Sequence, residues 1–110
     1  MQEYEVKVTE YAEDALRGIG QYILKELQAP QAAVNTLQAI RKEIKSLNKM
    51  PTRVHLTPEV PWRSYGVRRL RVKNYYVYFW IDEDEFRVQV THVVYVGRNQ
   101  KNQLEIMPLE

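Results

Sequence analysis

Polar and apolar positions change period along this chain, and the changes divide it into elements. From Glu3 to Thr9, Tyr4, Val6 and Val8 alternate with Glu3, Glu5 and Lys7. A period of two predicts a half-buried strand. From about Glu10 to Gln28 the apolar positions are Ala12, Leu16, Ile19, Ile23 and Leu27. That is helical spacing, with Thr9 placed to cap the first turn. Gly18 and Gly20 weaken such a helix by about 1 kcal/mol each relative to Ala, unless they allow close packing. Pro30 suits the first turn of a second helix. Its stripe is Val34, Leu37, Ile40, Ile44 and Leu47, and Pro51 stops it. Lys42, Lys45 and Lys49 lie off the stripe or near the C-terminal end, where cations suit the helix dipole. A short link at Ala29 predicts an antiparallel helical hairpin.

Residues 50–65, with Pro51, Pro58 and Pro61, read as a long loop, and such loops are often functional. Strands are predicted at Val67–Val72, Tyr75–Ile81 and Phe86–Val96. Lys73-Asn74 makes the first turn, because Asn tolerates the left-handed conformation. Asp82 to Glu85 make the second. The order is strand, helix, helix, strand, strand, strand. It predicts an α+β fold, an antiparallel sheet with a helical hairpin packed on one face.

Alternation gives this sheet two unlike faces. Leu70, Val72, Val77, Phe79, Val88, Val90 and Val94 form a core face. Arg69, Arg71, Tyr76, Tyr78, Trp80, Arg87, Gln89, Thr91 and Tyr95 form the other, which is expected to be open. Guanidiniums that hold phosphates and rings that stack on bases make such a face suited to single-stranded nucleic acid. The same pattern fits a solvated face on which arginine stems cover rings.

Composition narrows the choice. A chain of 110 residues is expected to form one domain over 1–110, with a core that needs no disulfide. It has no cysteine, which removes thiolate chemistry and Cys-based metal sites and fits a reducing cytoplasm. No signal peptide is visible, and no apolar run approaches the roughly 20 residues a membrane span needs. Net charge is only +2, yet Arg53, Arg63, Arg68, Arg69, Arg71 and Lys73 face a single acid, Glu59, within residues 53–73. A local basic patch points to a polyanion or an acidic partner at one place. His55 reads as a solvated loop residue. His92 shares the parity of Val90 and Val94, which makes it a core-edge histidine. No metal or cofactor is implied.

The segments V-K-V-T-E-Y-A-E-D-A-L, Q-A-P-Q-A-A-V-N-T-L-Q-A-I, R-R-L-R-V-K-N-Y-Y-V-Y-F and V-V-Y-V-G-R-N-Q occur in this order. In order and spacing they resemble the RelE/ParE superfamily of bacterial type II toxins over nearly the whole chain. The resemblance implies neutralisation by a cognate antitoxin protein and one of two activities. RelE-like members are metal-free, ribosome-dependent mRNA interferases; ParE-like members poison DNA gyrase. Carried over residue by residue, it implies catalytic roles for Arg69, Arg71 and Arg98, and for Tyr76, which stands where RelE-like nucleases carry an arginine. Arg68, Lys73, Tyr78, Arg87, Tyr95 and Lys101 are the implied RNA contacts. The tail LEIMPLE lacks the terminal tyrosine of many such nucleases, so the general acid and base are unassigned. Glu59 is the one acid near the arginines and reads first as a solvated carboxylate. The interferase is the leading expectation. The alternatives are gyrase inhibition and a degenerate toxin that only binds its antitoxin.

Overall fold

The structure is a computed structural model and describes residues 2–110. Strand β1 (Glu5–Val8) leads directly into helix α1 (Glu10–Lys25). Thr9 caps α1: its Oγ1 accepts the Ala12 amide hydrogen at 3.2 Å. This satisfies one of the otherwise unpaired amides of the first turn. Gln28 turns the chain at φ 49, and α2 (Pro30–Lys45) begins with proline in its first turn. The two helices pack closely at Gly20, where a Cβ would lie 2.8 Å from Leu37 Cδ1. Arg41 also ties α2 to Glu13 of α1 with two hydrogen bonds, at 3.1 and 2.9 Å. The predicted stripes are largely buried, but their ends at Leu27 and Val34 are exposed.

Strands β2 (Arg68–Val72), β3 (Tyr75–Asp82) and β4 (Arg87–Tyr95) form two consecutive hairpins. The left-handed residue of the first turn is Lys73, at φ 53, rather than Asn74. Sheet order is β1-β4-β3-β2, with β1 parallel to β4 and the other pairs antiparallel. The fold is α+β with the expected hairpin on one face, but the sheet is mixed. The reason is connectivity: the hairpin between β1 and β2 carries the chain back across the sheet, so β1 enters beside β4 in the same direction.

The main core lies between the helices and this face. It contains Ala12, Leu16, Ile40, Ile44, Leu47, Val72, Val77, Phe79, Val88, Val90 and Val93, with Leu37 and Leu70 packed against it. Val93 takes the place expected for Val94. In the ladder Tyr78 faces His92 and Phe79 faces Val90, so Thr91 is an extra residue on β4. Such a bulge reverses side-chain parity beyond it. Val94 and His92 therefore turn to the arginine face, and Tyr95 turns away from it.

That face is not open. Helix α3 (Gln100–Glu105) and the residues after it run along it as a strap. Tyr78 OH donates to Gln100 Oε1 at 2.8 Å, and Trp80 Nε1 donates to the Leu109 carbonyl at 2.7 Å. Beneath the strap a second core forms from Trp62, Val67, Tyr78, Val94, Leu104 and Met107.

Candidate functional site

The long loop is pinned to β2 by backbone hydrogen bonds, Thr57 N to Val67 O at 2.9 Å and Arg69 N to His55 O at 3.1 Å. This places Glu59 against Arg69, whose Nη1 donates to Glu59 Oε2 at 3.3 Å. Side-chain exposure is only 23% for Arg69 and 20% for Glu59, so this pair is more shielded from water than a surface salt bridge. Thr57, fully buried, donates its hydroxyl hydrogen to Glu59 Oε1. On its other side the Arg69 guanidinium lies over the Tyr76 ring, 4.1 Å from the centroid. Glu59 is thus the counter-ion of Arg69 and not a solvated loop acid.

Tyr78 is fully buried, which corrects its expected role as a stacking surface for RNA. The bulge and the strap together enclose it. Burial first, and then the Glu59 charge, push its hydroxyl up to about 12, with Arg69 pulling the other way. A phenol in that state holds its proton near neutrality and cannot act as a base there. Arg71 is exposed, and its Nε donates to the Lys73 carbonyl at 2.7 Å, with the guanidinium 5.8 Å from the Tyr76 ring. Arg98 is exposed on the turn after β4. Among the described residues neither Arg71 nor Arg98 is paired with a carboxylate.

The remaining predicted contacts disperse. Arg68 donates to the Val54 carbonyl at 2.6 Å and serves the loop. Arg87 pairs with Glu5 at 2.7 Å, which raises its pKa, at the β1 side of the sheet. Tyr95 lies edge-on to Tyr75 at 5.9 Å, on the helix side, because of the bulge. Lys73 and Lys101 are exposed, on the β2–β3 turn and on the first turn of α3. His92 is buried, 5.0 Å from the Tyr11 ring and 3.2 Å from Gln103 Oε1. Burial, only partly offset by Gln103, lowers its pKa. His55 is exposed. Among the described residues, no group of three or more His, Asp or Glu side chains could hold a metal ion.

Gln100 was missed in the sequence and organises the turn that presents Arg98. Its Oε1 accepts from Tyr78, while its Nε2 donates to the Arg98 carbonyl at 2.7 Å and the Tyr95 carbonyl at 3.0 Å. The signal was Asn99, which caps α3 by accepting from Asn102 N at 3.1 Å, followed by apolar Leu104, Met107 and Leu109.

Strand, helical hairpin and three-stranded meander, with basic side chains along β2 and after β4, are the arrangement implied by the resemblance to the RelE/ParE toxins. The model of the ParE toxin of the type II toxin–antitoxin system parDE matches residues 6–100, and the chain belongs to that family. Solved structures agree on the fold. The chromosomal ParDE system of P. aeruginosa has a TM-score of 0.72 at 23% identity, covering 88% of this chain and 100% of that one. The RelBE2 toxin–antitoxin complex of Mycobacterium tuberculosis gives 0.63 at 20% identity, covering 84% and 98%. A doubly arginine-substituted RelE of E. coli in the free state gives 0.62 at 12% identity, covering 92% of each. No curated protein matches the sequence.

Proposed function

We propose that this toxin acts by binding a protein target, DNA gyrase, and not by cutting messenger RNA. The carrying observation is the state of Arg69. An arginine that stabilises a reacting phosphate must present its donors to it. Here Glu59 engages its Nη1 and the Tyr76 ring lies against the guanidinium, so Arg69 is partly committed within the chain. Two further points support the reading. Tyr78 is sealed under the strap, and the matching family is ParE. Exposed Arg71 and Arg98 serve as contacts to an acidic protein surface. They also keep mRNA cleavage as the second reading, because both are available to a phosphate backbone.

The partner that neutralises the toxin is a cognate antitoxin, with an acidic or mixed-charge segment that folds on docking. Its place is the arginine face or a groove of about 570 Å³ on α2, lined by Val34, Leu37, Gln38, Arg41, Lys42 and Lys45. The whole of 1–110 acts as one toxin domain in the cytoplasm. Among the described residues no helix is long and apolar enough to cross a membrane.

The test is to induce the chain in cells and follow DNA supercoiling, transcript ends and protein synthesis together, with purified gyrase and programmed ribosomes assayed alongside. Loss of supercoiling with intact transcripts is expected. Codon-periodic transcript cleavage with normal supercoiling replaces this reading with the interferase.

A further inference from the structure

Among the described residues, Gln89 Oε1 is the buried side-chain atom left without a hydrogen-bond partner. Gln89 is only 7% exposed. A buried carbonyl oxygen costs free energy unless a donor meets it, so such an atom calls for an explanation. Its surroundings supply one. Gln89 lines a cavity of about 540 Å³ together with Lys7, Glu10, Asp82, Arg87 and Glu110. That volume falls in the range of roughly 300–1,000 Å³ typical of small-molecule sites. Lys7 comes from β1, Glu10 opens α1, Asp82 ends β3, and Arg87 and Gln89 lie on β4. The strap completes the wall. Trp80, opposite Gln89 in the ladder, donates to the Leu109 carbonyl at 2.7 Å, and this brings Glu110 to the cavity.

The wall charges select the ligand. Arg87 is already committed to Glu5 at 2.7 Å. Among the described residues Glu10, Asp82 and Glu110 have no ion pair, and Lys7 is the other cation of the lining. Three free carboxylates against one free ammonium make the cavity anionic, and its unpaired buried atom is an acceptor. Both features call for a cation that carries N–H donors, which forms charge-assisted hydrogen bonds with such groups. A bare metal ion is a poorer match, because among the described residues no three Asp, Glu or His side chains are grouped to hold one. The acceptors stand on separate elements, so a ligand with several spaced ammonium groups meets more of them than a single ammonium does. We infer that this cavity binds an aliphatic polyamine, with one ammonium donating to Gln89 Oε1 and the others meeting the carboxylates of Asp82, Glu10 and Glu110. The site is independent of the gyrase reading. Its ligand joins the end of the strap to β3, β4 and α1, and so holds residues 100–110 on the sheet.

Isothermal titration calorimetry of spermidine into the purified full chain, at constant ionic strength, tests this. One spermidine per chain is the expected stoichiometry. Gln89→Leu removes the acceptor and should weaken binding about tenfold, the worth of a hydrogen bond to a charged group. Glu110→Gln, at a more exposed contact, should weaken it about threefold. Glu26→Gln makes the same charge change at the far end of α1 and should leave binding unaltered. Lys7→Met removes the opposing cation and should tighten binding about threefold. Absence of binding overturns the inference. So do binding that ignores Gln89→Leu, an equal loss in Glu26→Gln, and magnesium bound as tightly as spermidine. Binding seen only in Lys7→Met also overturns it, since Lys7 then serves Gln89 in the unmodified chain. If Gln89→Leu fails to fold, nitrogen NMR of the Gln89 side-chain amide in the unmodified chain decides. Its signal must move with spermidine; saturation with that signal unmoved overturns the inference. A lysine-rich peptide that binds more tightly than spermidine overturns it in favour of a protein ligand. Saturating spermidine should also slow hydrogen exchange of the α3 amides, and unchanged exchange overturns the hold on the strap.

Discussion

Arg69 is held by a carboxylate, a ring and a strand at once, and its truncation should reveal that. Arg69→Ala leaves Glu59 with only the Thr57 hydroxyl in a poorly solvated place. The cost lies between that of exposed and buried pairs, about 1–2 kcal/mol. For a chain of this size that lowers the melting temperature by about 5–10 °C. Arg71→Ala, at an exposed position, should stay within about 0.5 kcal/mol. Calorimetry on the two variants separates them, and equal melting points would place Arg69 among ordinary surface arginines. Tyr78 and His92 give the pH dependence. The Tyr78 hydroxyl, raised to about 12 by burial first, ionises later in the folded chain than in the unfolded one. Its contribution is therefore full below about pH 10 and is lost as pH climbs toward 12, at most about 2–3 kcal/mol. The His92 pKa is lowered, burial again the leading cause, so folding favours the neutral imidazole. Its contribution is present above the unfolded value near 6.5 and is lost as pH falls through the lower folded value. Denaturant melts across pH should show both limbs, and Tyr78→Phe should flatten the alkaline one.

At the scale of elements, the helical hairpin was legible and the end of β4 was not. Apolar spacing of 3.6 and two cap signals, Thr9 and Pro30, place the starts of α1 and α2, while α1 ends at Lys25, three residues before the expected Gln28, and α2 at Lys45, well before Pro51. Both glycines of α1 were readable as weak points, but only packing tells them apart. A Cβ at Gly18 meets nothing within 4 Å, while one at Gly20 meets Leu37. Gly18→Ala should therefore stabilise the chain by up to about 1 kcal/mol. Gly20→Ala should gain clearly less, because Leu37 must shift; the same gain in both would show that Leu37 yields freely. The bulge at Thr91 could not be read. Apart from Gln89 and His92, the residues from Val88 to Val96 are β-branched or aromatic, and these suit either face of a strand. One inserted residue then moved Val94 and His92 to one side and Tyr95 to the other. Upstream of the bulge the predicted parity holds. Val90→Asp should accordingly place an unpaired charge in the main core and cost several kcal/mol, enough to leave the chain largely unfolded in circular dichroism.

Across the whole molecule, the sheet is covered twice, and the two covers differ in kind. The helical hairpin is a broad apolar layer fixed by the main core. The strap is short, and six helical residues cannot hold a helix alone. It depends on docking, through Leu104 and Met107 in the second core and through hydrogen bonds from Tyr78, Trp80 and Thr91. Composition explains why the sequence concealed it: a polar run of Asn, Gln and Lys precedes four scattered apolar residues. A segment attached this way should open before the sheet does. Leu104, 1% exposed, is its deepest anchor. Leu104→Asp puts a charge beneath the strap and should release residues 100–110 while β3 and β4 stay paired. Hydrogen exchange should then show α3 amides unprotected and the β3–β4 ladder still protected, with red-shifted emission from Trp80 as Leu109 departs. Joint loss of protection in α3 and in the ladder would mean that the strap and the main core unfold as one unit. The same variant bears on function. A released strap leaves Arg71 exposed as before but takes Gln100 from the turn that presents Arg98, so gyrase inhibition measured on purified enzyme should weaken without being abolished.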